Sequence, residues 1–105
     1  KDERTFMPKV QGDYRHSLSP EKAVEKTKYA VLTLLESFEA TDIEIVNDKP
    51  YAISFNCHSR GFSIKGTAEI NADSVSVVVE LPMVAIAFKG LIKAAIDRRI
   101  PEDLQ

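Results

Sequence analysis

The sequence predicts an α+β fold: an antiparallel meander sheet carrying two helices on one face, in the order β-α-β-β-β-β-α. Three observations predict it. Between Ile43 and Leu81, four runs of strand length alternate apolar and polar residues, with a few residues of turn chemistry between successive runs. A capped amphipathic helix precedes them. A second and far more apolar helical stretch, Leu81 to Ile100, comes after them.

Taken in order, Lys9 to Arg15 is the weakest strand, with Val10, Gly12 and Tyr14 on one parity. Ser19 is a good N-cap, Pro20 fits the first helical position, and Glu21 puts negative charge in the first turn. The helix so begun is expected to run to about Phe38. Val24, Thr27, Val31, Leu34, Leu35 and Phe38 form its buried stripe, and Tyr29 points away from it.

The strands come next. Ile43 and Ile45 alternate with acidic residues, and Asn47 to Pro50 turns the chain. Tyr51, Ile53, Phe55 and Cys57 form the dry set of the next strand, which ends in a turn at His58 to Gly61. Phe62, Ile64, Gly66, Ala68 and Ile70 continue it, and Val75, Val77, Val79 and Leu81 complete it after the Asn71–Ser74 turn. Alternation of this kind means one dry face and one wet face, and connections this short force antiparallel neighbours. Pairing Cys57 with Phe62 sets Phe55 against Ile64 and Ile53 against Gly66. Pairing Ile70 with Val75 sets Lys65 against Glu80 on the wet face. Gly66 lies mid-strand on the dry side, where a helix or a large ring can come close.

In the last stretch, Pro82 suits a first helical turn, and Val84, Phe88, Leu91, Ile92 and Ala95 form the expected buried stripe. The helix is expected to end near Arg98 and Arg99, with Pro101 just beyond. Met83, Ile86, Ala87, Gly90, Ala94 and Ile96 fall outside the stripe, leaving Lys89, Lys93 and Asp97 as a narrow polar strip. So apolar a helix is covered by the first helix, by loops or by a second copy in a homodimer. Otherwise it offers a hydrophobic partner surface, formed by Met83, Ile86, Lys89, Gly90 and Lys93. The domain boundaries implied are a tail over 1–8, one α+β domain over 9–100 and a tail over 101–105.

The chain's 105 residues suffice for one core, and 44% hydrophobic with 29% charged residues is an ordinary globular balance. Fourteen basic against sixteen acidic residues give a net charge of −2, so there is no basic field for nucleic acid. The wet face offers Lys65 against Glu69 and Glu80 and no aromatic platform, which also argues against nucleic acid. Lys89 and Lys93 interrupt the last apolar stretch, which is too short to be transmembrane. A lone Cys57 cannot form an internal disulfide, and a cytoplasmic location is the simplest reading.

No catalytic residue is assigned. Cys57 and His58 are adjacent on a strand and point to opposite faces, which separates a would-be nucleophile from its base. His16, His58 and Asp13 lack metal-ligand spacing, so no metal site is assigned, and no phosphate loop or other cofactor motif is present. The expectation is a protein that is not an enzyme.

The order of elements looks like the TATA-binding-protein-like or helix-grip group of folds, whose members differ widely in function. From Met7 onward the segments MPKVQGDYRHSLSPEKA, GFSIKGTAEI, DSVSVVVEL and FKGLIKAAIDRRI resemble the polyhydroxyalkanoic acid system family. These are small bacterial proteins encoded near polyhydroxyalkanoate granule genes. His16–Ser17–Leu18 and Phe88–Lys89–Gly90 are the short motifs within that resemblance; the residues before Met7 depart from the family's usual short start. The resemblance implies a non-enzymatic cytoplasmic protein linked to storage granules and carries no catalytic residues. Two functions stand as expectations. One is an interaction module for a hydrophobic surface or protein partner, such as a polyhydroxyalkanoate granule. The alternative is a small carrier holding a lipid-like or acyl ligand in a cavity lined by Phe55, Ile64, Gly66 and Phe88. An enclosed cavity favours the carrier; a filled core with Met83 and Ile86 exposed favours the module.

Overall fold

The computed structural model describes residues 8–105. Along it run β1 (Lys9–Arg15), α1 (Pro20–Ser37), β2 (Thr41–Lys49), β3 (Ala52–Ser59), β4 (Phe62–Ile70), β5 (Ser74–Glu80), a 3₁₀ segment (Met83–Phe88) and α2 (Lys89–Asp103). The strands form one open antiparallel sheet in the order β1-β5-β4-β3-β2. This is the α+β architecture that the alternating runs predict. β1 joins the free edge of β5, with Val10 opposite Val79 and Tyr14 opposite Val75.

Most of the dry parity is buried: Ile53, Phe55 and Cys57 on β3, Ala68 and Ile70 on β4, and Val75, Val77 and Val79 on β5, with Ile43, Ile45, Phe62 and Ile64 partly buried. Both helices lie over it. Ser19 caps α1, its hydroxyl accepting the Lys22 N–H at 3.2 Å, and Ala23, Val24, Thr27, Ala30, Val31 and Leu35 are buried beneath the helix. Tyr29 faces solvent. At the other end Glu39 takes φ 61°, so that the Ala40 N–H reaches the Leu35 carbonyl and the Glu39 N–H reaches that of Glu36. That is the left-handed closure usually made with glycine.

Four expectations need correction. β3 and β4 meet two residues further along than the apolar pairing suggests: Cys57 faces Ile64, Phe55 faces Gly66 and Ser59 faces Phe62. The connection is a two-residue turn, with φ of 55° at Arg60 and 86° at Gly61, the signs a type I′ hairpin requires. Tyr51, expected on the dry face, sits in the β2–β3 turn instead. It is exposed there, and its hydroxyl donates to Glu21 at 2.9 Å.

The third correction concerns the last helix. It does not start at Pro82. Met83–Phe88 is wound as 3₁₀ helix, and α2 begins at Lys89. Six residues at 3.0 per turn rather than 3.6 rotate the faces of α2 by about 120°. The buried face is accordingly Ile92, Ile96 and Ile100, continued by Leu104. Val84 and Leu91, expected in the core, are 76% and 56% exposed.

The fourth concerns the ends. α2 continues through Pro101 to Asp103, and Leu104 is buried, so 101–105 is no tail. Proline costs the helix one hydrogen bond in its last turn, and burial of Ile100 and Leu104 on either side offsets that loss. At the other end Pro8 is buried and its carbonyl accepts the Leu81 N–H at 3.0 Å. The rest of the expected N-terminal tail, 1–7, lies outside the described residues.

Candidate functional site

The two ends of the dry face are closed differently. At the β1 end the Tyr14 ring lies back over Gly12, where any methyl group would collide with it. The Tyr14 hydroxyl donates to Asp97 on α2 at 2.7 Å, and Lys93 donates to the same carboxylate at 2.7 and 2.9 Å. Burial, and then the Asp97 hydrogen bond, push the Tyr14 phenol well above its ordinary value; Lys93 first and Tyr14 second hold Asp97 below its own. At the β3–β4 end the Phe55 ring covers Gly66, its direct cross-strand partner. No polar tie holds that ring, and beside it a gap opens between the helices and the sheet.

The gap is a cavity of about 60 Å³. On the same measure a single water needs about 10–15 Å³. Its floor is β3, β4 and β5 through Phe55, Cys57, Ile64, Val77 and Val79; its sides are Val31, Leu34, Leu35 and Phe38 of α1 and Ile92, Ile96 and Ile100 of α2. Ala85, Phe88 and Leu91 complete it from the 3₁₀ segment and the first turn of α2. The rings of Phe62 and Phe88, 5.8 Å apart and tilted, join the hairpin to the start of α2. Among the described residues, Ser59 and Arg60 bring polar side chains into the lining at the hairpin. Ser59 donates to the Phe38 carbonyl at 2.7 Å, fixing the end of α1 against the turn, and Arg60 comes directly after it.

Phe55, Ile64 and Phe88 thus stand around the cavity, whereas Gly66 does not line it, because Phe55 covers it. Of the residues expected at the partner surface, Met83 and Ile86 are each 50% exposed, Lys89 and Gly90 are exposed, and Lys93 is engaged with Asp97. Leu91 belongs to both features: it lines the cavity and is more than half exposed, so the cavity wall reaches the surface there. The cavity and the exposed apolar segment, posed as alternatives by the sequence, occur side by side. Arg60, Phe62, Leu34 and Phe38 were not legible as site residues. The sole signal was the Arg60–Gly61 pair, a turn whose shortness aims the next residue back over the sheet.

The residues with titratable chemistry are otherwise occupied. Cys57 is buried in the cavity floor, and desolvation pushes its thiol up, toward the unreactive neutral form. His58 lies on the opposite face with Nδ1 3.4 Å from Asp42. His16 is buried, its Nδ1 accepting the Leu18 N–H at 3.1 Å and its Nε2 donating to the Asn71 carbonyl at 3.0 Å, which clamps the start of α1 to the β4–β5 turn. Asp13 accepts from Ser76 at 2.6 Å. Among the described residues no group of three or more His, Cys, Asp or Glu is placed to hold a metal ion. Among them, too, no helix is long and apolar enough to cross a membrane.

Among solved structures, TTHA0849 from Thermus thermophilus is similar at 14% identity and a TM-score of 0.41, with 92% of each chain covered. Ara h 8.0201 is similar at 10% identity and a TM-score of 0.37, with 92% of this chain and 99% of that one covered. At such scores these likenesses say nothing about what the chain does. No curated protein matches it. A family model does, "Putative polyhydroxyalkanoic acid system protein", over residues 13–104, which takes in every element from within β1 to the end of α2. The chain therefore belongs to the polyhydroxyalkanoic acid system protein family.

Proposed function

We propose that this protein is a non-catalytic binder of apolar chains. On this reading the cavity takes a length of aliphatic or acyl chain, and Met83, Val84, Ile86 and Leu91 rest on the hydrophobic surface that supplies it. The observation that supports it is the cavity. An aliphatic chain filling these 60 Å³ would take the apolar lining out of water. Natural cores are otherwise packed as densely as organic crystals. The family's tie to polyhydroxyalkanoate, an aliphatic polyester, makes a cytoplasmic granule the surface of choice.

A docking module that takes no ligand is the second reading, favoured by the exposure of Met83, Val84 and Ile86 on one short segment. The two separate by mutation. Titration with a solvatochromic dodecyl probe measures the cavity, and co-sedimentation with poly(3-hydroxybutyrate) particles measures the surface. Ile64→Trp, which fills the cavity, is expected to weaken the probe at least tenfold, about 1.4 kcal/mol, and to spare sedimentation. Ile86→Glu is expected to do the reverse without lowering the melting temperature. Failure of the wild type to bind the probe would sink the cavity reading. A drop in melting temperature for Ile86→Glu at constant mass would show that Ile86 serves the fold instead.

A further inference from the structure

Building on the cavity reading, we infer that the chain taken there ends in an oxyanion, a carboxylate or phosphate, which Arg60 receives at the mouth. Three observations carry this. First, among the described residues the cavity lining contains no Asp or Glu, and Arg60 is the one charged residue in it. Arg60 is exposed, so its guanidinium is open to solvent at the rim of an otherwise apolar lining, and a free guanidinium there can receive an oxyanion bidentately. Second, Arg60 has no hydrogen bond or ion pair with any described residue, unlike Arg15 and Lys93, which are paired with Asp73 and Asp97. Lys89, which comes directly after the lining residue Phe88, is likewise without an ion pair among the described residues. The Phe62–Phe88 ring contact therefore has an unpaired cation next to each of its strands of chain, Lys89 adjoining Phe88 and Arg60 two residues before Phe62.

Third, Arg60 stands where arginine is a poor choice for the turn. Its φ of 55° is the left-handed conformation for which Asn, Asp or Gly is the low-strain residue. The hairpin alone gives no reason for a long cationic side chain at that position; a charged ligand head does. Charge and shape then agree on one class of occupant: an amphiphile with its chain between α1, α2 and the sheet, and its head at the β3–β4 turn. A neutral ester or alcohol would fill the same cavity and leave Arg60 unused.

The test is calorimetric titration of the full chain, below micelle-forming concentrations, with dodecanoate, dodecyl phosphate and dodecanol. At least one anion is expected to bind tenfold or more tighter than the alcohol, and which of the two is tighter identifies the head group. Arg60→Gln is expected to erase that preference while leaving dodecanol affinity and the melting temperature unchanged. Arg60→Gly controls for turn strain: it is expected to raise the melting temperature and lose the preference all the same. Equal affinity for alcohol and anions in the wild type overturns the head-group assignment and leaves the cavity reading standing. So does an Arg60→Gln variant that keeps the preference. Absence of binding by all three overturns the cavity reading, and this inference with it.

Discussion

The Tyr14 end and the Phe55 end of the sheet use one device to opposite effect. In each, a strand glycine lets an aromatic ring lie flat against the backbone: Tyr14 over Gly12, Phe55 over Gly66. Tyr14 carries a hydroxyl that reaches Asp97, so the ring also fastens α2 to the sheet. Phe55 has nothing to reach with, and α2 stands off there. The difference teaches that a glycine under a ring sets where the ring goes, while the ring's far side decides whether the layers close.

Core truncation tests that contrast most severely. Ile53 is buried and lies outside the cavity lining, whereas Ile64 is only partly buried and borders the cavity. Ile53→Ala is expected to cost about 2–5 kcal/mol in urea denaturation, and Ile64→Ala about 1 kcal/mol, because neighbours of a cavity lose fewer contacts. Equal losses would mean the Phe55 end is as tightly packed as the rest.

Adding a methyl at each glycine probes the rings themselves. Phe55 has the cavity to swing into, while Tyr14 is held by its hydrogen bond. Gly12→Ala is therefore expected to destabilise by about 1–3 kcal/mol, and Gly66→Ala by less than about 1 kcal/mol with a smaller cavity. The reverse order in thermal melts would break the comparison.

The finest test is the hydroxyl. Tyr14→Phe is expected to cost about 1 kcal/mol at neutral pH, since the Asp97 acceptor is half exposed and screened. Because the phenol is raised when folded, the folded state keeps a proton that the unfolded chain gives up above its value of 10.0. That stabilisation is complete below about pH 10 and is lost as pH rises through the raised value. Asp97, held low, contributes above the ordinary carboxylate value of 3.8 and loses its part as pH falls through the lowered one. Denaturation series at alkaline pH should show a steeper fall for wild type than for Tyr14→Phe; parallel slopes would show that the hydroxyl does not carry this lock.

How far sequence reading reached depends on what alternation can and cannot encode. It placed the strands and their dry faces because an error of one residue inverts every side chain. It misplaced β3 against β4 because an error of two preserves every face; Cys57 opposite Phe62 and Cys57 opposite Ile64 look equally apolar. The Ile70–Val75 pairing was legible because the Lys65–Glu80 charges agreed with it. In the last helix, apolar residues on several sides left the phase open, and the 3₁₀ segment that rotates it has no composition of its own. Phe55, Ile64 and Phe88 were legible as residues facing a common space. Arg60 was not, since its place depends on how the end of α1, the hairpin and α2 converge.

Strand order also bears on rates. β2 to β5 each pair with a neighbour in sequence, so the meander assembles through short turns, whereas β1 meets β5 only after α1 and the whole meander lie between them. Closing that longest loop comes before its contacts return anything. The Tyr14–Asp97 fastening thus belongs to the late-forming part of the molecule. It governs how long the native state lasts more than how quickly it is reached.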